Sequence, residues 1–217
     1  MALRIIVIED HGITRQGLCF LLDKESDIEV IAEAEDGREG LELVRKLQPD
    51  IVITDISMPN LNGVDATRRI VQEFPGIKVI ALSMHARRPF VADMLKAGAS
   101  AYLLKECLME ELIEAIHTVA AGGTYLSAKV SGVVVSDYVN RLSGVVESPL
   151  ESLTTREREV LQLIGEGKNT KEIALVLHVS TKAIEANRRK IMEKLDAHSV
   201  ADLVKIAIAG GLIFIET

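Results

Sequence analysis

Cysteine is scarce in this chain: its 217 residues include two, Cys19 and Cys107, which lie far apart and form no CxxC pair. This scarcity excludes a cysteine-rich zinc site and leads us to expect a reduced, cytoplasmic protein. Hydrophobic runs long enough for a membrane are lacking as well. The longest run late in the chain, residues 206–215, is broken by Gly210 and Gly211 and is too short for a bilayer. We expect no signal peptide, because the first residues do not combine a basic segment with an apolar stretch.

The net charge of −7 is unevenly distributed along the chain. Acidic side chains outnumber basic ones in residues 1–122, whereas residues 180–194 contain five basic side chains and two acidic ones. An acidic protein can present a basic face to a polyanion, so this local excess counts for more than the overall isoelectric point of about 5.3.

Five short apolar runs alternate with amphipathic segments in the first 122 residues. The apolar runs, typical of buried strands, lie at 4–8, 28–32, 51–54, 78–82 and 101–104. The amphipathic segments, typical of helices, lie near 12–22, 37–48, 63–74, 87–97 and 108–121. This alternation predicts a doubly wound α/β domain with a five-stranded parallel sheet and helices on both faces.

Asp55 is the most informative residue of that domain, because it places a carboxylate at the end of the third predicted strand. Glu9 and Asp10 end the first strand in the same way. Open α/β sheets bind their ligands at the carboxyl ends of the strands, so the three acids are expected to form one pocket. Like charges held close together do not all stay ionised without a cation, which points to a divalent metal ion and to Asp55 as the chemically active acid.

Two further predicted strands end on polar groups that belong to the same edge. Ser83 ends the fourth strand, and Lys105 ends the fifth, three residues after Tyr102. A hydroxyl and an ammonium therefore join the acids, so every predicted strand end except the second supplies a polar group. Tyr102 has two interpretations: an ordinary side chain at the sheet edge, or a switch that turns inward when Ser83 moves.

The remainder of the chain divides into a connecting segment and a helical domain. We predict the α/β domain with its pocket in residues 1–122, a helix and linker in 123–153, and a four-helix domain in 154–217. The connecting segment has the pattern of a helix at 127–142 and of a small, polar, proline-containing linker at 143–153. Thr154 followed by Glu157 has the spacing of a capping box that opens the first helix of the last domain.

Residues 171–195 have the pattern of a helix-turn-helix motif. Residues 171–177 form a short apolar helix, residues 178–180 the turn, and a second helix begins near Thr181. The second helix carries its apolar side chains on one face and basic side chains on the other. In this motif the second helix enters the major groove of DNA. An exposed charged face on an ordinary helix bundle is the alternative, but the turn spacing favours DNA binding.

The first domain resembles the receiver domain of two-component response regulators. The residues that carry the resemblance are Glu9, Asp10, Asp55, Pro59, Gly63, Ser83 and Lys105. It implies that Asp55 accepts a phosphoryl group from a phosphohistidine on a sensor histidine kinase. It also implies a Mg²⁺ ion held by Asp10, Asp55 and the backbone carbonyl of Ser57, with Glu9 acting mostly through water.

The tail resembles the LuxR-type DNA-binding domain, so the whole chain resembles response regulators of the NarL/FixJ class. The resemblance places Glu185, Ala186 and Arg189 opposite base edges of double-stranded DNA. Candidates for phosphate contacts are Thr170, Lys171, Thr181, Lys182, Arg188 and Lys190. Asn187 departs from the histidine that many relatives have there, and either reads a base or contacts the backbone. Glu185 either accepts from a cytosine amine or pairs with Arg188 or Arg189 on the helix.

The leading hypothesis is therefore a transcriptional regulator in which phosphorylation of Asp55 controls dimerisation and DNA binding, with dimer contacts through the last helix. A second hypothesis keeps the DNA binding and gives the pocket another ligand. A third is an aspartate-nucleophile phosphatase, which needs a second acid two residues after the nucleophile. Ser57 occupies that position, so we expect no enzyme acting on external substrates.

Overall fold

The computed structural model describes residues 2–142 and 149–213, and the chain divides into two compact units, residues 1–144 and 145–217. Within the described residues, no helix is long and apolar enough to cross a membrane. Residues 143–148 of the predicted linker lie outside the described residues. Of the remainder of that predicted linker, Pro149–Ser152 forms a short 3-10 turn.

Strands and helices alternate through the first unit. The strands are β1 (Leu3–Ile8), β2 (Ile28–Ala34), β3 (Ile51–Asp55), β4 (Lys78–Ser83), β5 (Ala101–Leu104) and β6 (Tyr125–Leu126). The helices are α1 (Gly12–Leu22), α2 (Gly37–Leu47), α3 (Gly63–Glu73), α4 (Arg88–Lys96), α5 (Met109–Ala120) and α6 (Ala128–Leu142). The predicted α/β class is confirmed.

The strands form one sheet in the order β2-β1-β3-β4-β5-β6, and every neighbouring pair is parallel. Alternate strand residues such as Ile5, Ile53 and Leu103 pack against α1 and α5 on one face. The other face takes α2, where a β-carbon on Gly40 would lie 2.3 Å from the Ile8 side chain. Helices on both faces bury the sheet, which explains why its central strands are continuous apolar runs.

The prediction of a five-stranded sheet was wrong by one strand. β6 has two residues and pairs with β5 at Ala101–Tyr125 and Tyr102–Leu126. A strand of that length shows no alternation of apolar and polar residues, so its sequence carries no periodic signal. The first unit also extends beyond residue 122, because β6 and α6 belong to it.

Four α-helices make up the described part of the second unit. They are α7 (Thr155–Gly165), α8 (Thr170–Val176), α9 (Thr181–Lys194) and α10 (Val200–Ala209). Their core contains Val160, Ile173, Ile184, Ile191 and Leu203, all nearly inaccessible to solvent. The capping box predicted at Thr154 and Glu157 is present, and a second one, at Asn169 and Glu172, opens α8.

Candidate functional site

A buried acidic cluster lies at the carboxyl edge of the sheet, where β1 and β3 end. Glu9 is 2% exposed and Asp55 4% exposed, while Asp10 is half-buried. Ligand-type atoms of Glu9, Asp10, His11 and Asp55 all lie within 4.8 Å of one another. Parallel strands bring these ends together, so the structure assembles the acids that the sequence pattern grouped.

Lys105 places a cation inside this cluster. Its Nζ lies 2.7 Å from Glu9 Oε2 and 2.9 Å from Asp55 Oδ2. Burial disfavours the charged form of Lys105, but Asp55 and then Glu9 outweigh it and raise the pKa of the ammonium above its ordinary value. The ammonium therefore remains charged, beside the carboxylate that the sequence pattern identifies as reactive.

The backbone after β3 fixes the position of Asp55. Its Oδ1 accepts a hydrogen bond of 2.6 Å from the Ile56 amide. The chain then turns back so that Gly63 N donates to Ile56 O at 2.9 Å. A β-carbon at Gly63 would lie 1.9 Å from Asp55 O, so only glycine allows α3 to begin this close to the acid. Asn62 caps α3 by accepting from the Asp65 amide.

Ser83 and Tyr102 meet through the loop that follows β4. The Ser83 Oγ accepts a hydrogen bond of 3.1 Å from the His85 amide, and the Tyr102 hydroxyl donates to His85 O at 2.6 Å. Tyr102 is fully buried, and burial raises the pKa of its phenol to about 12 despite the opposing effect of Ser83. Both interpretations of Tyr102, an ordinary side chain at the sheet edge and a switch, stay predictions. Its aromatic ring lies inside the molecule, near the strand end that carries Ser83.

Two residues near the pocket are absent from the sequence-based site. His11 Nδ1 lies 2.9 Å from Asp10 Oδ1 and 3.2 Å from Glu9 Oε1, and Asp10 chiefly raises the pKa of this imidazole. Arg15 donates to Glu9 O at 2.6 Å and pairs with acids of the β2 end, at positions 33 and 35. The adjacency of His11 to Glu9 and Asp10 was a sequence signal for that residue. Arg15 gave no such signal, because its partners come from the ends of two strands.

The donor set of the pocket suits Mg²⁺. Carboxylate oxygens are the ligands that this hard cation prefers, and Glu9, Asp10 and Asp55 supply them from two strand ends. Ser57, the proposed source of a backbone carbonyl ligand, is half-buried two residues beyond Asp55. Among the described residues, this is the one cluster of metal-ligating side chains with such proximity.

The second unit contains the helix-turn-helix expected from the sequence. Helix α8 ends at Val176, and the turn contains His178 with a positive φ of 52°, a conformation that reverses the chain direction sharply. Ser180 then caps α9 by accepting from the Ala183 amide at 3.2 Å. Ile184 and Ile191 hold one face of α9 in the core, which leaves the opposite face in solvent.

Most of the proposed DNA contacts lie on that open face. Exposed side chains are those of Lys171, Thr181, Lys182, Glu185, Ala186, Arg189 and Lys190, while Thr170, Asn187 and Arg188 are half-buried. Within the described residues, Glu185 forms no ion pair with Arg188 or Arg189. Asn187 instead uses its side-chain amide to donate to Ala183 O at 2.9 Å. The basic face of α9 is therefore open to a polyanion, and Asn187 is engaged with its own helix.

Comparison with known families and structures supports both units. The receiver domain of response regulators matches residues 5–117, and the luxR family of bacterial regulatory proteins matches residues 151–207. The chain is 38% identical over 223 residues to the transcriptional regulatory protein DegU of Brevibacillus brevis, covering 96% of this chain and 94% of DegU.

Solved structures give the same result. A LuxR-family two-component response regulator from Aurantimonas sp. SI85-9A1 is similar with a TM-score of 0.61 and 32% identity, covering 64% of this chain and 99% of that one. A structure of the response regulator RcsB in complex with DNA is similar over 95% of this chain and 98% of RcsB, with a TM-score of 0.59 and 25% identity. The chain therefore belongs to the response regulators that join a receiver domain to a LuxR-type DNA-binding domain.

Proposed function

We propose that this chain regulates transcription by accepting a phosphoryl group on Asp55 and binding specific DNA sequences through α9. The observation that carries the proposal is the contact of Lys105 with Asp55 inside a buried acidic pocket, on a chain that also presents a basic helix-turn-helix. The phosphoryl donor is the phosphohistidine of a sensor histidine kinase, in keeping with the receiver family.

The chemistry is a phosphoryl transfer between two side chains. A carboxylate oxygen of Asp55 forms a bond to phosphorus, while the bond between phosphorus and the donor imidazole breaks and its electron pair returns to the nitrogen. Mg²⁺, held by Asp10, Asp55 and Ser57 with Glu9 nearby, would neutralise the repulsion between the carboxylate and the phosphoryl oxygens. Lys105 supplies a second positive charge to a phosphoryl oxygen, because its ammonium already lies 2.9 Å from Asp55.

Ser83 and Tyr102 are proposed to report the modification. The Ser83 hydroxyl turns towards the new phosphoryl group and gives up the hydrogen bond that it accepts from the His85 amide. The His85 loop then shifts, and with it the carbonyl that the Tyr102 hydroxyl contacts. A local change of charge thus acts on a loop with two arrangements.

The DNA contacts are proposed for the exposed face of α9. Arg189 is the best candidate for a guanine, because its planar fork matches the O6 and N7 acceptors of that base. Glu185, with no ion pair among the described side chains, is suited to accept from a cytosine amine. Asn187 donates to its own helix, which favours a supporting role over base reading. Lys182 and Lys190 are suited to phosphates.

The proposed partners follow from these surfaces. They are the sensor kinase, double-stranded DNA and, after phosphorylation, a second copy of the chain that adds affinity by occupying a neighbouring half-site. A regulator that binds chromosomal DNA acts in the cytoplasm. Turnover of an external phosphate ester is not proposed, because Ser57 occupies the position where aspartate-nucleophile phosphatases place their general acid.

The test compares wild type with Asp55→Asn in the presence of Mg²⁺ and acetyl phosphate. Wild type should shift on a phosphate-affinity gel, form a dimer by light scattering and bind DNA selected from a random duplex pool more tightly. Asp55→Asn should do none of these, and Asp23→Asn, an exposed control on the same unit, should behave as wild type. Equal behaviour of wild type and Asp55→Asn would refute the proposed acceptor.

A further inference from the structure

The turn between α8 and α9 is reached by a side chain from another helix, Arg156 of α7. Its Nη2 donates to Leu177 O at 3.1 Å, and its Nη1 lies 3.0 Å from Glu159 Oε2. Leu177 is the C-cap of α8, and Glu159 of α7 has no solvent exposure. One guanidinium therefore connects the interior of the second unit with the point where the chain leaves α8.

The carbonyl that Arg156 contacts lies at the end of a helix. The last carbonyls of a helix have no partner within it, and the negative end of the helix dipole favours a cation there. His178 N donates to Leu175 O at 3.2 Å, which is a backbone bond inside the turn, whereas Leu177 O accepts from the charged guanidinium. A hydrogen bond from a charged donor is stronger than one between neutral groups, so this contact is suited to fix the turn.

The other side of the turn faces solvent. Leu175 is 76% exposed and lines an open groove together with His178 and Val179. Helix α8 has seven residues, of which Ile173 and Ala174 are buried. A segment with few buried apolar side chains moves more easily than the core, so the tilt of α8 depends on how its end is held.

The angle between α8 and α9 decides which DNA contacts form. The proposed phosphate contacts of Lys171 and Lys182 lie at the start of the two helices, and the proposed base contact of Arg189 lies two turns further along α9. A lysine on its flexible stem reaches a phosphate as a point charge, whereas a bidentate base contact needs two N–H groups in place. A change of angle should therefore weaken base contacts before phosphate contacts.

We propose that Arg156 is a positioning residue for sequence recognition: its bond to Leu177 O fixes the angle between α8 and α9 at which the base contacts of α9 form. This inference rests on the proposed function, because it concerns the reading of bases by α9. The proposed DNA contacts do not include Arg156, so its effect passes through the turn.

The test changes the two contacts of the guanidinium separately in the full-length chain. Arg156→Lys keeps a positive charge for Glu159, one helical turn away, but lacks the planar fork that reaches two acceptors at once. Glu159→Gln removes the negative charge and keeps an oxygen that accepts from Arg156, so the bond to Leu177 O is retained. Each protein is treated with acetyl phosphate and Mg²⁺, and its affinity is measured for a duplex selected with wild type and for a random duplex.

The ratio of the two affinities separates positioning from folding. A smaller folded fraction, followed by circular dichroism, lowers both affinities by the same factor and leaves their ratio unchanged. We expect Arg156→Lys to lower the ratio by about tenfold, the contribution of roughly one base contact. Its affinity for the random duplex and its slope of log K against log salt concentration should equal those of wild type, because the phosphate contacts remain. Glu159→Gln should retain the wild-type ratio.

Three results would overturn the inference. The first is a wild-type ratio in Arg156→Lys, and the second is an equal loss of both affinities in that variant. The third is a loss of ratio in Glu159→Gln as large as in Arg156→Lys, because the buried charge and not the bond to the turn would then be responsible. If wild type itself does not distinguish the two duplexes, sequence-specific binding fails, and the proposed function is overturned together with the inference. If wild type distinguishes them and Arg156→Lys does so equally well, only the positioning role is lost.

Discussion

The Lys105 ammonium pairs with two carboxylates of the pocket, those of Glu9 and Asp55. Its ammonium lies within 3 Å of both Glu9 and Asp55, so it neutralises part of the acidic cluster and is also available to a phosphoryl oxygen. These two roles have opposite consequences for Mg²⁺. Replacing Lys105 by a neutral residue would make the pocket more negative, which favours Mg²⁺ binding. Under the proposed function it would also remove a positive charge that stabilises the phosphoryl group during transfer.

Lys105→Ala should therefore separate metal binding from transfer. We expect Mg²⁺ affinity, measured by calorimetry, to stay equal or rise, while the rate of phosphorylation by acetyl phosphate at saturating Mg²⁺ falls by about 10². Lys129→Ala, which removes an exposed lysine of α6, should leave both unchanged. A drop in metal affinity with an unaffected rate would contradict the role given to Lys105.

Replacing glycine by alanine should have opposite effects on stability at positions 63 and 17. A β-carbon at Gly63 meets the Asp55 carbonyl at 1.9 Å, whereas one at Gly17, in the exposed middle of α1, meets nothing within 4 Å. Gly63→Ala should destabilise the first unit by about 1–3 kcal/mol through overpacking and displace Asp55. Gly17→Ala should stabilise it by about 0.5–1 kcal/mol, because alanine loses less backbone entropy in a helix. Urea denaturation monitored by circular dichroism measures both, and equal signs would contradict the packing argument.

At the level of single residues, the sequence predicted the acids, the serine and the lysine of the pocket because each ends an apolar run. It did not reveal Arg15, whose carbonyl and carboxylate partners come from the ends of β1 and β2. Such a contact depends on the register and order of the strands. Nor did it decide the orientation of Tyr102, because inward and outward positions differ only in tertiary packing.

Among the elements, α9 has two distinct faces. Its regularly spaced apolar side chains pack into the core, and its opposite face is exposed to solvent. Arg189→Ala should lower affinity for the preferred sequence by about 1–3 kcal/mol and relax selectivity at one base pair, because a bidentate base contact is lost. Lys182→Ala should weaken binding to all sequences alike and lower the salt slope of log K by about one. Selection from random duplexes and titrations at several salt concentrations distinguish the two, with Lys46→Ala, an exposed change in α2, as the control. A uniform loss for Arg189→Ala would rule out its assignment to a base.

Glu157 of α7 forms an ion pair with Lys194 of α9, and this ion pair should make the stability of the second unit depend on pH. Its carboxylate accepts from Thr154 and from Lys194 Nζ at 2.6 Å. Burial alone would raise the pKa of Glu157, but the Lys194 and Thr154 bonds outweigh it and the pKa lies below the ordinary 4.5. A carboxyl with a depressed folded-state pKa contributes stability above its unfolded pKa and loses it as the pH falls through the folded one.

Thermal unfolding of the second unit should therefore shift to lower temperature as the pH falls below about 4.5. Glu157→Gln should be less stable at neutral pH and show a smaller shift on acidification. Glu193→Gln, on the exposed part of α9, should retain the wild-type pH dependence. Calorimetry across this range provides the measurement, and an unchanged acid response in Glu157→Gln would show that other groups cause it.

The elements with strong local signals were predicted well, and the one without such a signal was missed. The capping box at Thr154 was visible because both of its partners lie in one turn, and α9 because its apolar spacing is regular. β6 was missed because two residues have no periodicity and because each of them pairs with a β5 residue 24 positions earlier in the chain. Its neighbour α6 was predicted as a connecting helix, whereas its packing on α4 is a tertiary contact.

At the scale of the whole molecule, the two units have separate cores, and β6 and α6 extend the first one beyond residue 122. A fragment of residues 1–142 should therefore fold and accept a phosphoryl group without the second unit. A fragment of residues 1–122 should be less stable, by about 2 kcal/mol or more, because it no longer buries Val130 against the first unit.

The shorter fragment should also tend to self-associate, because removal of β6 exposes the backbone groups of Ser100 and Tyr102 on the edge of β5. Urea denaturation and light scattering of the two fragments test this directly, and phosphorylation by acetyl phosphate shows whether the pocket survives. If residues 1–122 were as stable and as monomeric as residues 1–142, β6 and α6 would be an appendage and not part of the folded unit. If the shorter fragment is less stable but still phosphorylated, the pocket depends on β1, β3, β4 and β5 and does not need β6 and α6.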